Sequence, residues 1–88
     1  LSGSIHIFPN PSVGEAKLAI KGDMAGEIAR VTIMDVTGNK LYYQKLTLTS
    51  GANTMDIPIQ ASWPSGVYII HVATDRKTVY KNLVLRRQ

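Results

Sequence analysis

The chain has 88 residues, no cysteine and a net charge of +4, from ten Lys/Arg and six Asp/Glu. One domain is all that this length accommodates, and the missing thiols exclude disulfides, thiolate nucleophiles and thiolate metal sites. A composition 44% hydrophobic and 18% charged is that of a folded domain, and no apolar run approaches the roughly 20 residues of a membrane-spanning helix.

Period two runs through the whole chain. Ser4–Phe8 is short and rich in Ile and Phe. Pro9-Asn10-Pro11-Ser12-Val13-Gly14 follows, where two prolines stop helix and ladder alike. Glu15–Lys21 sets Ala16, Leu18 and Ile20 on one face and Glu15, Lys17, Ala19 and Lys21 on the other. A turn at Gly22-Asp23-Met24-Ala25-Gly26 leads to Ile28–Val36, where Ala29, Val31 and Ile33 oppose Arg30 and Thr32. Thr37-Gly38-Asn39 joins this strand to Lys40–Leu48, with Gly38 or Asn39 suited to positive φ in a hairpin. Ser50-Gly51 precedes Asn53–Ile59, which aligns Met55, Ile57 and Ile59. Ala61–Gly66 is a longer crossing into Val67–Thr74, apolar on both faces as a central strand should be. Asp75-Arg76 closes a last hairpin into Lys77–Arg86. Alternation with β-branched and aromatic residues argues for strands, and no segment sustains a 3.6-residue period. About seven short strands with turns at this spacing predict an all-β fold, an immunoglobulin-like antiparallel β-sandwich, with a small barrel as the alternative.

Charge is distributed unevenly. Residues 76–88 hold five basic side chains and no acidic one, whereas residues 1–75 hold five basic and six acidic. Such a strand either presents charge to a partner or keeps a sheet edge soluble. Odd positions Val79, Leu83 and Leu85 should share the buried face, and Lys81 interrupts that stripe. Either the strand bulges there, or Lys81 lies at the rim with its stem packed and its ammonium in water.

Four patterns occur in a fixed order: Phe8-Pro9-Asn10-Pro11, Asp35-Val36-Thr37-Gly38-Asn39-Lys40-Leu41, Trp63-Pro64-Ser65-Gly66-Val67-Tyr68-Ile69-Ile70, and Lys81-Asn82-Leu83-Val84-Leu85-Arg86. Together they resemble the type A C-terminal sorting domain of the type IX secretion system, over about Ile5 to Arg87. The resemblance implies a secretion signal at the end of a large exported protein of a Gram-negative bacterium. It implies recognition by the translocon and outer-membrane shuttle proteins, then removal by a surface sortase, with the cargo anchored to lipopolysaccharide or released. It also implies that Lys81, Leu83, Val84, Leu85, Arg86 and Arg87 form the element that is read. Two departures stand out: Trp63 occupies a position where the family usually has Leu, and Arg86-Arg87-Gln88 extends slightly beyond many members. Residues 1–88 then form one sorting domain excised from a longer protein, since the chain opens at Leu1 without Met, and residues 1–4 read as a linker remnant.

The other motif residues read chiefly as structural. Pro9, Asn10 and Pro11 punctuate the first strand. Gly66 supplies an unusual φ or a close approach, and Val67 follows it into the sixth strand. Tyr68 stands where a tyrosine corner would bond its hydroxyl back to an upstream stretch of backbone. No cofactor is called for. His6 and His71 lack a third ligand at suitable spacing, and the carboxylates lack calcium-loop spacing, so no metal site is expected. No nucleophile elbow or acid–base pair points to an enzyme. Basic residues are not interleaved with the aromatics, which argues against nucleic acid. The alternative function is an adhesive or carbohydrate-binding accessory module using Tyr42, Tyr43 or Trp63. An exposed last strand also offers an edge through which two copies can pair.

Overall fold

A computed structural model describes residues 3–22 and 25–87. Leu1 and Ser2 of the expected linker, Asp23 and Met24 of the second turn, and Gln88 lie outside the described residues. Seven strands follow one another: β1 (Gly3–Phe8), β2 (Lys17–Gly22), β3 (Ile28–Met34), β4 (Lys40–Thr47), β5 (Gly51–Asp56), β6 (Gly66–Ala73) and β7 (Thr78–Leu85). Gly3 and Ser4, assigned to the linker from sequence, already belong to β1.

The strands form two antiparallel sheets, ordered β1-β2-β5 and β4-β3-β6-β7. The sandwich is therefore immunoglobulin-like with β4 on the β3 edge, where a constant-type immunoglobulin domain puts its fourth strand in the other sheet. The reason is local. The Asp35–Asn39 connection is short enough to return β4 against β3 as a hairpin, with Ile28 opposite Thr47 and Ile33 opposite Tyr42. Leu41 is the extra residue of a bulge, since Met34 pairs with Lys40. Gly38 carries the turn at φ +90°, a conformation that costs a residue with a Cβ.

The core lies between the sheets. Leu18, Ile20, Ala29, Val31, Ile33, Ile70, Val72, Leu83 and Leu85 are nearly or completely inaccessible to solvent. They occupy the alternate positions that the period-two pattern selects. Ala19 departs from the expectation of an outward, solvated position and is buried. It stands on the middle strand, flanked by His6 of β1 and Thr54 of β5 in the register. The fifth strand starts at Gly51, earlier than expected, and stops at Asp56. Pro58 lacks the N–H that a further ladder bond would need. Ile57 nevertheless stays in the core, its N–H donating to the Ala16 carbonyl at 2.9 Å.

Candidate functional site

The last strand is built into the sandwich on both sides. Along its inner edge β7 pairs with β6 without a register shift, from Thr78 opposite Ala73 to Leu85 opposite Gly66. Lys81 therefore causes no bulge. It stands opposite the fully buried Ile70, yet is itself exposed, which is the rim arrangement.

Along its outer edge β7 is clamped by the loop that leaves β1. The Ser12 N–H donates to the Val84 carbonyl at 2.7 Å, and the Arg86 N–H donates to the Ser12 carbonyl at 2.7 Å. Asn10 extends this short parallel pairing with its side chain. Its Nδ2 donates to the Asn82 carbonyl at 2.8 Å, and its Oδ1 accepts the Val84 N–H at 2.9 Å. The side-chain amide thus acts as one more peptide group on the ladder. Ser12 is fully buried; its Oγ donates to the Glu15 carbonyl at 2.7 Å and accepts the Gly14 N–H at 3.1 Å. Pro9 and Pro11 bracket Asn10, and both preceding peptide bonds are cis. The Pro-Asn-Pro run lies where the chain passes from the first sheet to the edge of the second. Sequence reading found the punctuation but not the clamp; the signal was an amide between two residues that cannot donate.

The basic residues of the segment divide into two kinds. Arg87 is half-buried. Its Nε donates to the Trp63 carbonyl at 3.0 Å, its Nη2 to the Gln60 carbonyl at 2.6 Å, and its backbone N–H to Ser65 Oγ at 2.7 Å. It fastens the end of the chain to the β5–β6 crossing. Arg76 pairs with Glu27, its Nε 3.5 Å from Oε2, and neither Glu27 oxygen accepts a hydrogen bond among the described residues. Lys77, Lys81 and Arg86 are exposed, and among the described residues none has a carboxylate within ion-pairing distance. Leu83 and Leu85 are core side chains and Val84 is half-buried. A partner that leaves the sandwich folded meets Lys81, Arg86 and the outer side of Val84.

The sixth-strand motif is structural in detail. Gly66 adopts φ +156° with open space where a Cβ would stand, so conformation rather than crowding calls for glycine. Val67 is exposed on the outer face. The Tyr68 hydroxyl donates to the Pro64 carbonyl, closing the expected tyrosine corner. Trp63 stacks on Tyr68, with centroids 5.1 Å apart and planes at 21°. The indole in place of the usual Leu is buried there. Of Tyr42, Tyr43 and Trp63, only Tyr43 is exposed, so the three do not form one platform.

Asp35 organises the β3–β4 turn. Its Oδ1 accepts the Thr37 hydroxyl at 2.6 Å, the Thr37 N–H at 2.9 Å and the Asn39 N–H at 3.0 Å. These donors, the Thr37 hydroxyl first, hold its pKa below the usual carboxylate value. On the first sheet Lys17 and Asp56 are cross-strand partners 2.7 Å apart, and this hydrogen-bonded pairing raises the Lys17 pKa. His6 and His71 lie in different sheets. Among the described residues no group of three or more His, Asp or Glu could hold a metal ion. Among them, too, no helix is long and apolar enough to cross a membrane.

Residues 6–86 match the family model described as the secretion system C-terminal sorting domain. No curated protein matches the chain. Two solved structures from Porphyromonas gingivalis share the fold. Dimeric latent PorU aligns with a TM-score of 0.72 at 18% identity over 98% of this chain. PorZ, described as an essential surface component of the type-IX secretion system, aligns with a TM-score of 0.67 at 23% identity over 96%. The chain spans only 9% of the PorU chain and 12% of the PorZ chain.

Proposed function

Because the chain belongs to the family of secretion-system C-terminal sorting domains, a non-catalytic signal family, we propose that it directs an attached cargo across the outer membrane through the type IX secretion system. The family match over residues 6–86 carries this reading. The cargo then reaches the cell surface or the medium. Translocon and outer-membrane shuttle proteins read the folded sandwich, and a surface sortase removes it.

The geometry supports such a label. An upstream cargo would join ahead of β1, whose other end leads through Asn10 and Ser12 into the β7 clamp next to Arg86. Within this reading Lys81, Arg86 and the outer side of Val84 contact the recogniser. Leu83, Leu85 and Arg87 act by holding that surface in shape.

The test is a fusion of these 88 residues to a periplasm-targeted reporter in a host with the secretion system. Surface or medium location of the reporter is the expected result. A reporter that stays periplasmic while the domain is folded overturns the assignment.

A further inference from the structure

The outer edge of β7 is closed over only half its length. In an antiparallel ladder alternate residues turn both N–H and C=O away from the neighbouring strand. Val84 turns both outward, to Asn10 Oδ1 and to the Ser12 N–H. Tyr80 and Thr78 therefore turn theirs outward too, as does the Asn82 N–H. Among the described residues no loop or side chain hydrogen-bonds to these groups. A free ladder template thus runs from Thr78 to Asn82 and stops where the Asn10 amide begins.

The same stretch carries its own chemistry. Tyr80 is 63% exposed and stacks on His71, its cross-strand partner, at 4.6 Å and 14°. That pairing stiffens the exposed ring beside the open edge. Lys77 and Lys81 flank it, both exposed and, among the described residues, without an ion-pair partner. Lys81 belongs to the row of Leu83 and Ile70 but meets solvent at the rim. A cation there discourages indiscriminate pairing and favours a strand that brings negative charge.

We infer that the Thr78–Asn82 edge accepts a short extended acidic segment of the export machinery as an added β-strand. The inserted backbone would bond Thr78, Tyr80 and Asn82, and its carboxylates would face Lys77 and Lys81. The inference deepens the sorting reading and rests on it. A second copy of the chain fits less well, because it would set two segments with five basic residues and no acidic one side by side.

The experiment has two arms. In the first, the 15N-labelled chain is titrated with an alternating Val/Glu octapeptide, and with a Val/Lys octapeptide as control. Amide shifts centred on Thr78, Tyr80 and Asn82, produced by the acidic peptide alone, are the expected result. Lys77→Glu with Lys81→Glu should weaken this binding roughly tenfold or more. Thr78→Pro should also weaken it, since it removes an outward N–H without touching the β6 ladder. Shifts elsewhere, no shifts, or shifts that grow with protein concentration in the absence of peptide overturn the inference; the last would make a second copy the occupant. In the second arm, the same variants with unchanged melting temperature are fused to the exported reporter. Impaired export supports the inference. Undiminished export overturns it while leaving the sorting assignment intact, and only failure of the unmodified fusion bears against that assignment.

Discussion

The Nε of Arg87 donates to the main-chain carbonyl of Trp63 at 3.0 Å, tying the end of the basic segment to the loop that launches β6. The neighbouring Arg86 side chain points to solvent and makes no ion pair among the described residues. Arg87→Ala should therefore destabilise the domain by about 1–3 kcal/mol, from two lost charge-assisted hydrogen bonds. That corresponds to a fall in Tm of roughly 4–8 °C per kcal/mol. Arg86→Ala should stay within about 0.5 kcal/mol of the parent. Thermal unfolding of both variants checks the contrast. Equal effects would mean that Arg87 does not latch the loop. The practical consequence is that charge reversal at Arg86 isolates recognition, whereas reversal at Arg87 also perturbs folding.

Asn10 should govern the local stability of the β7 outer edge. Asn10→Ala removes the acceptor for the Val84 N–H and the donor to the Asn82 carbonyl. Both backbone groups can turn to water, so the global cost should be only about 1 kcal/mol. Amide exchange at Val84 should accelerate far more than at Leu83, which bonds on the β6 side. Asn10→Asp should behave differently from Ala, since it keeps an acceptor for Val84 but aims a carboxylate at the Asn82 carbonyl. Uniform acceleration along β7 would contradict the clamp.

The acid limb of stability should report Asp35. Its folded-state pKa is lowered, first by the Thr37 hydroxyl, from the ordinary value of 3.8. The stabilisation is present above the unfolded pKa and is lost as pH falls through the folded one. Below about pH 4, exchange at Thr37 and Asn39 should rise before the sheet opens. Asp35→Asn should remove this pH dependence from the turn. Lys17 gives the mirror case, with a pKa raised above 10.5 by its hydrogen bond to Asp56. Its contribution is present at neutral pH and is lost only as strongly basic pH carries it through the raised folded pKa. Chemical denaturation across both limits, with Asp35→Asn and Lys17→Gln, tests the two signs.

Tyr68→Phe keeps the ring against Trp63 and removes only the hydroxyl that reaches Pro64. The expected loss is about 0.5–1.5 kcal/mol, with the near-ultraviolet dichroism of the stacked pair largely kept. A larger loss, or collapse of the aromatic signal, would mean that the corner also sets the path of Trp63.

What could be read from the residues alone followed from short-range rules. Alternation fixed the inward set Ala29, Val31, Ile33, Leu83 and Leu85, because side chains on a strand point to opposite faces in turn. A positive-φ turn at Gly38 or Asn39 and a Tyr68 corner follow from residues close in sequence, and the folded chain places them at Gly38 and Pro64. Family membership was legible because it depends on the order of such local patterns. The fate of individual charges was not. Arg86 and Arg87 are adjacent in sequence, yet one is solvated and the other bonds carbonyls more than 20 residues away. The Asn10–Val84 clamp spans 74 residues, and Ala19 is buried on a strand flanked by two others. Those outcomes depend on which strand lies beside which. Sheet order is set by the packing of the two layers as a whole, and only the folded chain decides it.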